Sequence, residues 1–292
     1  MQHLEESIFE LIKKCTCEMP KDVAGKIAEA RAQEDANSNA RYILDVIVEN
    51  IELAKQKQQP ICQDTGGLLF FVKAPINFDQ NNFKAITENT VKKAAQQGLL
   101  RPNSVDPLSE NNTGDNIGAG TPYFHFEQSA QNELEICLII KGGGSENVSA
   151  QYSLPDAKLG AERDIAGVKK CILEAITQAQ GRGCAPGIIS ACIGGDRTTG
   201  YAFAKKQFLR NLADQNPVPE LAKLEQEIFT EANQLDIGPM GLGGKSTLLD
   251  CKIGILNRHP ACYYVTVSYM CWAFRRQGIK LNAKGNILEW LY

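Results

Sequence analysis

The chain has 292 residues, with 31 Lys plus Arg against 34 Asp plus Glu and a formal net charge of −3. Hydrophobic residues make up 43% and charged residues 22%. That is enough apolar surface to offset the entropy of ordering, so a disordered chain is excluded, and there is no basic excess to neutralise the phosphates of a nucleic acid. The unusual count is ten cysteines. They are too dilute for a small disulfide scaffold. The N-terminus, MQHLEESIFELIKK, lacks the basic and apolar regions of a secretion signal, and no apolar run approaches the length of a membrane span. The expectation is a cytoplasmic chain with reduced thiols, most of them small core residues and a few free to act as nucleophiles or metal ligands.

The first sixty residues read as helical. Leu4, Ile8, Leu11, Ile12 and Cys15 recur at helical spacing, a second helix runs through about Gln33, and a third covers Ser38 to Lys57. LLFFVKA (68–74) reads as a buried strand, and helical periodicity returns over Asn82–Gln97. Residues 101–120 are rich in Pro, Asn, Asp and Gly, the composition of a long structured loop. Two strands, TPYFHFE and LEICLIIKG, lead into Gly142–Asn147. Helices are expected over Glu162–Gln178, Asp196–Asn211 and Glu220–Asn233, with the strand IISACIGG before the second. The last sixty residues read as strands: LLDCKIGIL, CYYVTVSYM and the closing pair GIKLNAKGNILEWLY. Helices first and mixed strands later predict an α+β fold, a helical part (1–60) packed on a mixed β region (61–292) in a single unit.

Several Gly-rich turns raise the question of phosphate. The segment 238–247, GPMGLGGKST, ends like a P-loop, but Pro239 stands where the first glycine should be. KGGGSEN after a strand, and Gly194-Gly195-Asp196 before a helix, could offer backbone N–H groups to an anion, or could be plain strand-to-helix turns. Three single cysteines stand on turns. Cys62 opens ICQDTG, beside Gln63 and Asp64. Cys184 lies in GCAPG. Cys271 ends an apolar strand, beside Arg275 and Arg276, which could clamp a dicarboxylate but, following a strand, are read as solvated. None forms a CxxC pair, so a zinc ribbon or ferredoxin-type run is not supported. Three separated thiolates on a four-iron cluster would leave one iron open to act as a Lewis acid.

These motifs, in this order, resemble the class I, iron–sulfur-dependent fumarate hydratases and the related L-tartrate dehydratases, over about residues 10–290. The carrying segments are ICQDTG, KGGGSEN, GCAPG, IGPMGLGGKST, NRHPA and the strand ending at Cys271. The resemblance implies a [4Fe-4S] cluster held by Cys62, Cys184 and Cys271. A one-strand shift would exchange Cys262 for Cys271, and the downstream turn and closing strand favour Cys271. It also implies substrate contacts from Gln63, Asp64, Arg101, Gly142, Ser145, Glu146 and Asn147, with Asp64 and His259 as catalytic candidates. Single-chain members of the family are roughly twice this length. The chain therefore resembles the α subunit of a hetero-oligomer whose β subunit carries further catalytic residues. The implied reaction is reversible hydration of fumarate to L-malate, with tartrate or mesaconate as alternative substrates. The reading from a different class is a non-catalytic iron–sulfur or thiol-rich binding protein.

Overall fold

A computed structural model of the chain describes residues 3–130 and 133–292. It is α+β, as the order of elements predicts, but the chain divides differently. One unit takes Met1–Lys21, Glu49–Gly143 and Ala273–Tyr292; the other takes Asp22–Val48 and Gly144–Trp272. The expected helical block of residues 1–60 is thus shared between two compact units. Sequence periodicity reports which residues are buried and not what they are buried against.

The first unit is built on a five-stranded sheet of order β2-β1-β3-β8-β9. Its strands are β1 (Gly67–Ala74), β2 (Tyr123–Gln128), β3 (Leu134–Lys141), β8 (Arg275–Leu281) and β9 (Ile287–Trp290). β1 and β2 are parallel and the other pairings antiparallel. Helices α1 (Leu4–Cys17) and α4 (Gln80–Gln96) pack together with this sheet. The predicted stripe Leu4, Ile8, Leu11, Ile12 and Cys15 is the buried face of α1, meeting Phe70, Leu138 and Ile279 in one core. α4 starts where Asp79 accepts a hydrogen bond from the Asn82 amide, the usual way an Asp frees a helix from its orphan N–H groups.

The second unit is built on a four-stranded sheet of order β4-β7-β5-β6. Its strands are β4 (Ala150–Ser153), β5 (Gly187–Gly194), β6 (Leu248–Leu256) and β7 (Tyr264–Met270). β5 and β6 are parallel; β7 is antiparallel to β5 and to β4. Helices α6 (Ile165–Ala179) and α8 (Pro219–Asn233) share a core with Ile189, Ala191 and Ile193 of β5. α7 (Arg197–Gln207) packs on the other face, with Gly200 against Thr266 and Phe203 against Gly254. α2 (Lys21–Gln33) lies almost wholly in this unit; α3 (Asn39–Lys57) is divided between the two. Exposed hydrogen-bonding groups on edge strand β6 are closed off: Glu225 accepts from the Ile253 amide (2.6 Å) and Asn216 donates to its carbonyl (2.8 Å).

Two local features differ from the sequence reading. The Gly-rich segment after β3 becomes a five-residue helix, α5 (Gly143–Asn147), followed by the unforeseen short strand β4. Arg275 and Arg276, read as solvated, lie inside β8 and are fully buried. Among the described residues no helix is long and apolar enough to cross a membrane.

Candidate active site

The first unit holds one group of candidates. The segment entering β1 is fixed by the Asn50 side chain, which donates to the Ile61 carbonyl (2.8 Å), and by the Ile61 amide donating to Thr16 (3.1 Å). Cys62 follows, half-buried, then exposed Gln63 and half-buried Asp64. Both oxygens of Asp64 accept backbone N–H groups, from Gly66 (3.1 Å) and Gly143 (2.8 Å). A Cβ at Gly142 would stand 2.8 Å from the carboxylate oxygen, so any larger residue there would push Asp64 off its seat. Arg101 donates to the Gln63 carbonyl (3.2 Å), and its amide donates to Thr65 Oγ1 (3.0 Å). Asn103 joins Thr65 Oγ1 (3.0 Å) and the Gly66 carbonyl (3.2 Å). Buried Thr65 thus ties the 101–103 arm to the Cys62 turn. Sequence reasoning passed over Asn103, whose role depends on contacts distant in the chain.

The second unit holds the other group. Cys184 sits between a 3-10 turn (Gln180–Gly183) and β5, half-exposed and in the left-handed region at φ 54°. A non-glycine residue held there is strained by about 1–3 kcal/mol, and such positions gather at functional sites. The Trp272 amide donates to the Cys184 carbonyl (3.2 Å), placing Cys271 beside it. Buried Tyr269 marks the same spot: its ring lies against Gly183 and Gly187, where a Cβ would approach within 2.5 Å and 2.4 Å. Burial, with lesser contributions from Cys271 and Cys184, pushes the Tyr269 phenol up. The Tyr269 amide donates to Ser149 Oγ, which donates to the Ser145 carbonyl (both 3.2 Å), so buried Ser145 belongs to the same cluster. Glu146 is engaged by Lys205 (2.6 Å), an ion pair that holds α5 to α7; Asn147 is exposed.

Strand register separates His259 from this pair. Ile188 pairs with Met270 at the cysteine end of the sheet, and Ile193 with Val265 at the other. His259 and Cys262 follow β6 at that far end, roughly 20 Å of extended strand away at about 3.3 Å per residue. There they line a cavity of about 740 Å³ with Asp196, Asn257 and Tyr264. The Ala261 amide donates to His259 Nδ1 (3.1 Å), leaving Nε2 to carry the proton of the neutral ring. So His259 does not join the cysteine pair of its own chain, and of the two alternatives it is Cys271, not Cys262, that stands beside Cys184.

Six other buried thiols fit the core-filler reading. Burial pushes Cys17 and Cys171 up to about 11, Cys137 and Cys192 up to about 12, and raises Cys15 and Cys251 as well, which keeps them protonated. Among the described residues no three His, Cys, Asp or Glu side chains are gathered closely enough to hold a metal ion. The donor set nonetheless suits an iron–sulfur cluster in part, because a backbone hydrogen bond holds the segment of Cys271 beside the constrained turn of Cys184.

All three Gly-rich turns that suggested anion binding are filled by the protein's own carboxylates. Asp64 takes the Gly143 amide, and Asp196 takes the Thr198 and Thr199 amides at the start of α7 (both 2.8 Å). In the GKST loop, buried Glu34 takes the amides of Lys245 (3.1 Å) and Ser246 (2.8 Å), and Asp236 takes that of Gly244 (2.9 Å). The loop serves as a buttress: the Met240 amide donates to the Ala185 carbonyl (2.8 Å), next to Cys184.

Comparison with known proteins decides the family. The profile of the fumarate hydratase (Fumerase) family matches residues 5–280. The chain belongs to this family. A Geobacillus stearothermophilus relative that carries the name fumarate hydratase class I is 46% identical over the whole chain. The chain spans only 58% of that relative's length. Family members named as L(+)-tartrate dehydratase α subunits match nearly end to end. The Methanocaldococcus jannaschii protein is 36% identical, over 96% of this chain and 99% of its own length. The Escherichia coli protein is 30% identical, over 96% and 91%.

Proposed function

We propose that the chain is the α subunit of an iron–sulfur hydro-lyase that interconverts fumarate and L-malate in the reducing cytoplasm. The observation that carries the reading is that the Trp272 amide, bonded to the Cys184 carbonyl, holds the segment carrying Cys271 beside the strained, buttressed Cys184 turn. Cys62 is the proposed third ligand. It stands two residues before Asp64, and Cys271 four residues before Arg275, whose guanidinium binds the Asp64 carbonyl. Bound to these three thiolates, a [4Fe-4S] cluster supplies an open iron as Lewis acid toward the substrate hydroxyl and adjoining carboxylate.

In the dehydration direction a proton leaves one carbon and the hydroxyl leaves its neighbour, giving the double bond and water. Arg101 is suited to one substrate carboxylate: its guanidinium is exposed, and a single contact to the Gln63 carbonyl aims it. Gln63 contributes its free amide. Asp64, held by two backbone donors, keeps a fixed carboxylate that orients or relays the proton. Ser145, Glu146 and Asn147 are further proposed substrate contacts, with Glu146 held in an ion pair by Lys205. His259, at the far end of the second sheet from the cysteine pair, is left out of this assignment.

The relatives named as α subunits support a β partner as the source of the base and further cationic groups. The identity of 46% to the class I fumarate hydratase, against 36% and 30% to the tartrate dehydratase subunits, supports fumarate; the two end-to-end subunit matches keep L-tartrate as the second reading. The test is anaerobic reconstitution of the chain with and without its β partner. Malate formation from fumarate and oxaloacetate formation from tartrate are then compared by kcat/KM. The chain alone should hold iron and turn over little. Full activity without a partner would overturn the subunit reading, and a higher kcat/KM on tartrate would replace fumarate as the substrate.

A further inference from the structure

Arg275 opens β8 opposite Ile140 of β3, on the face that packs against α1, and is 0% exposed. Its Nη1 donates to the Asp64 carbonyl (2.8 Å) and its Nε to the Ala273 carbonyl (3.2 Å). Among the described residues no carboxylate forms an ion pair with it. Asp64 does not serve, since both its oxygens point to the amides of Gly66 and Gly143. Carbonyl acceptors satisfy donors but leave the charge. A guanidinium out of water costs several kcal/mol unless an opposite charge offsets it, and an apolar side chain would fill the same space more cheaply. The turn it grips carries Cys62, and a cluster on three thiolates is net negative, as is a dicarboxylate.

We infer that Arg275 is a positioning residue of the Cys62–Asp64 turn. Its fork fixes the Asp64 main chain, and its charge, in ion-pair contact with no carboxylate among the described residues, acts on the anionic group that the turn holds. The second half of this statement rests on the iron–sulfur reading; the first does not. Two consequences separate fork from charge. The fork keeps Asp64 seated on the Gly66 and Gly143 amides. The charge stabilises the reduced, more negative cluster and so raises its reduction potential.

The experiment uses the full chain with Arg275→Met and Arg275→Lys. In the cluster-free protein, amide exchange at Gly66 and Gly143 is read against the β1 interior. In the anaerobically reconstituted protein, the cluster's midpoint potential is read by redox titration. Arg275→Met should speed exchange at the two glycines tenfold or more relative to β1 and lower the potential. Arg275→Lys should also speed exchange, because the fork is lost, while its potential stays near that of the parent. Should Arg275→Met fail to fold, the lysine variant carries the test through its fast exchange and preserved potential. Unchanged exchange in both variants, or exchange that rises equally throughout β1, would overturn the positioning role. A parent chain that takes up no cluster would refute the iron–sulfur reading and leave the exchange result standing.

Discussion

Removal of Glu34 tests whether the buttress behind Cys184 matters. The carboxylate is 5% exposed and accepts two amides, from Lys245 and Ser246. Neither amide has a substitute acceptor at hand, because Asp236 is committed to Gly244 and Asp35 to Lys245 Nζ (2.6 Å). Hydrogen bonds to a charged group are worth about 1.5–3 kcal/mol each, and two that share one carboxylate do not add fully. Glu34→Ala should therefore cost about 3–4 kcal/mol. Glu34→Gln keeps one acceptor but turns an N–H toward the second amide, and should cost about 2 kcal/mol. At roughly 2–4 °C per kcal/mol for a protein of this size, the alanine variant loses on the order of 10 °C in melting temperature. The loss should reach the cysteine turn through the bond from the Met240 amide to Ala185. Amide exchange at Met240 should then rise more than exchange in β1, and iron content after reconstitution should fall. A melting temperature within about 2 °C of the parent, with Met240 exchange unchanged, would refute the buttress.

Three further outcomes are expected. Gly142→Ala places a Cβ against the Asp64 carboxylate and should lower kcat at least tenfold with a stability loss of about 1–3 kcal/mol; wild-type kcat would show that Asp64 does not need its seat. His259→Ala and Cys262→Ser alter the far end of the sheet and should leave iron content at the parent level, since a loss in either would contradict the register. Asp250 is raised to about 6, by burial first, with the Lys252 ammonium opposing. Its folded pKa lies above its unfolded value of 3.8, so the folded state binds the extra proton and stability falls as pH rises from about 4 to 6. Asp250→Asn should flatten that fall in urea unfolding curves, and an unchanged slope would count against the burial argument.

Much of this could be read from the residues. The α1 stripe, the strand cores and the loop at 101–120 follow from periodicity and composition. Helix ends shifted by a few residues where a cap decided them: Asp164, accepting from the Gly167 amide (2.7 Å), starts α6 at Ile165 and not at Glu162. What stayed hidden depends on partners far apart in sequence. Arg275 looks solvated until β8 is seen lying beside β3. The GKST loop looks open to phosphate until Glu34 is seen occupying its amides. His259 sits close to Cys271 in the chain yet lies a strand's length away, because β7 runs between them.

The central claim is that Cys62, Cys184 and Cys271, and no other thiols, hold the cluster. Each of the ten cysteines is replaced singly by Ser, and the reconstituted proteins are compared anaerobically by iron content and by the spectrum of the cluster. The account predicts loss of the four-iron spectrum in those three variants and its retention in the other seven, Cys262→Ser and Cys192→Ser included. A full cluster in any of the three, or its loss on replacing Cys262, would contradict the account.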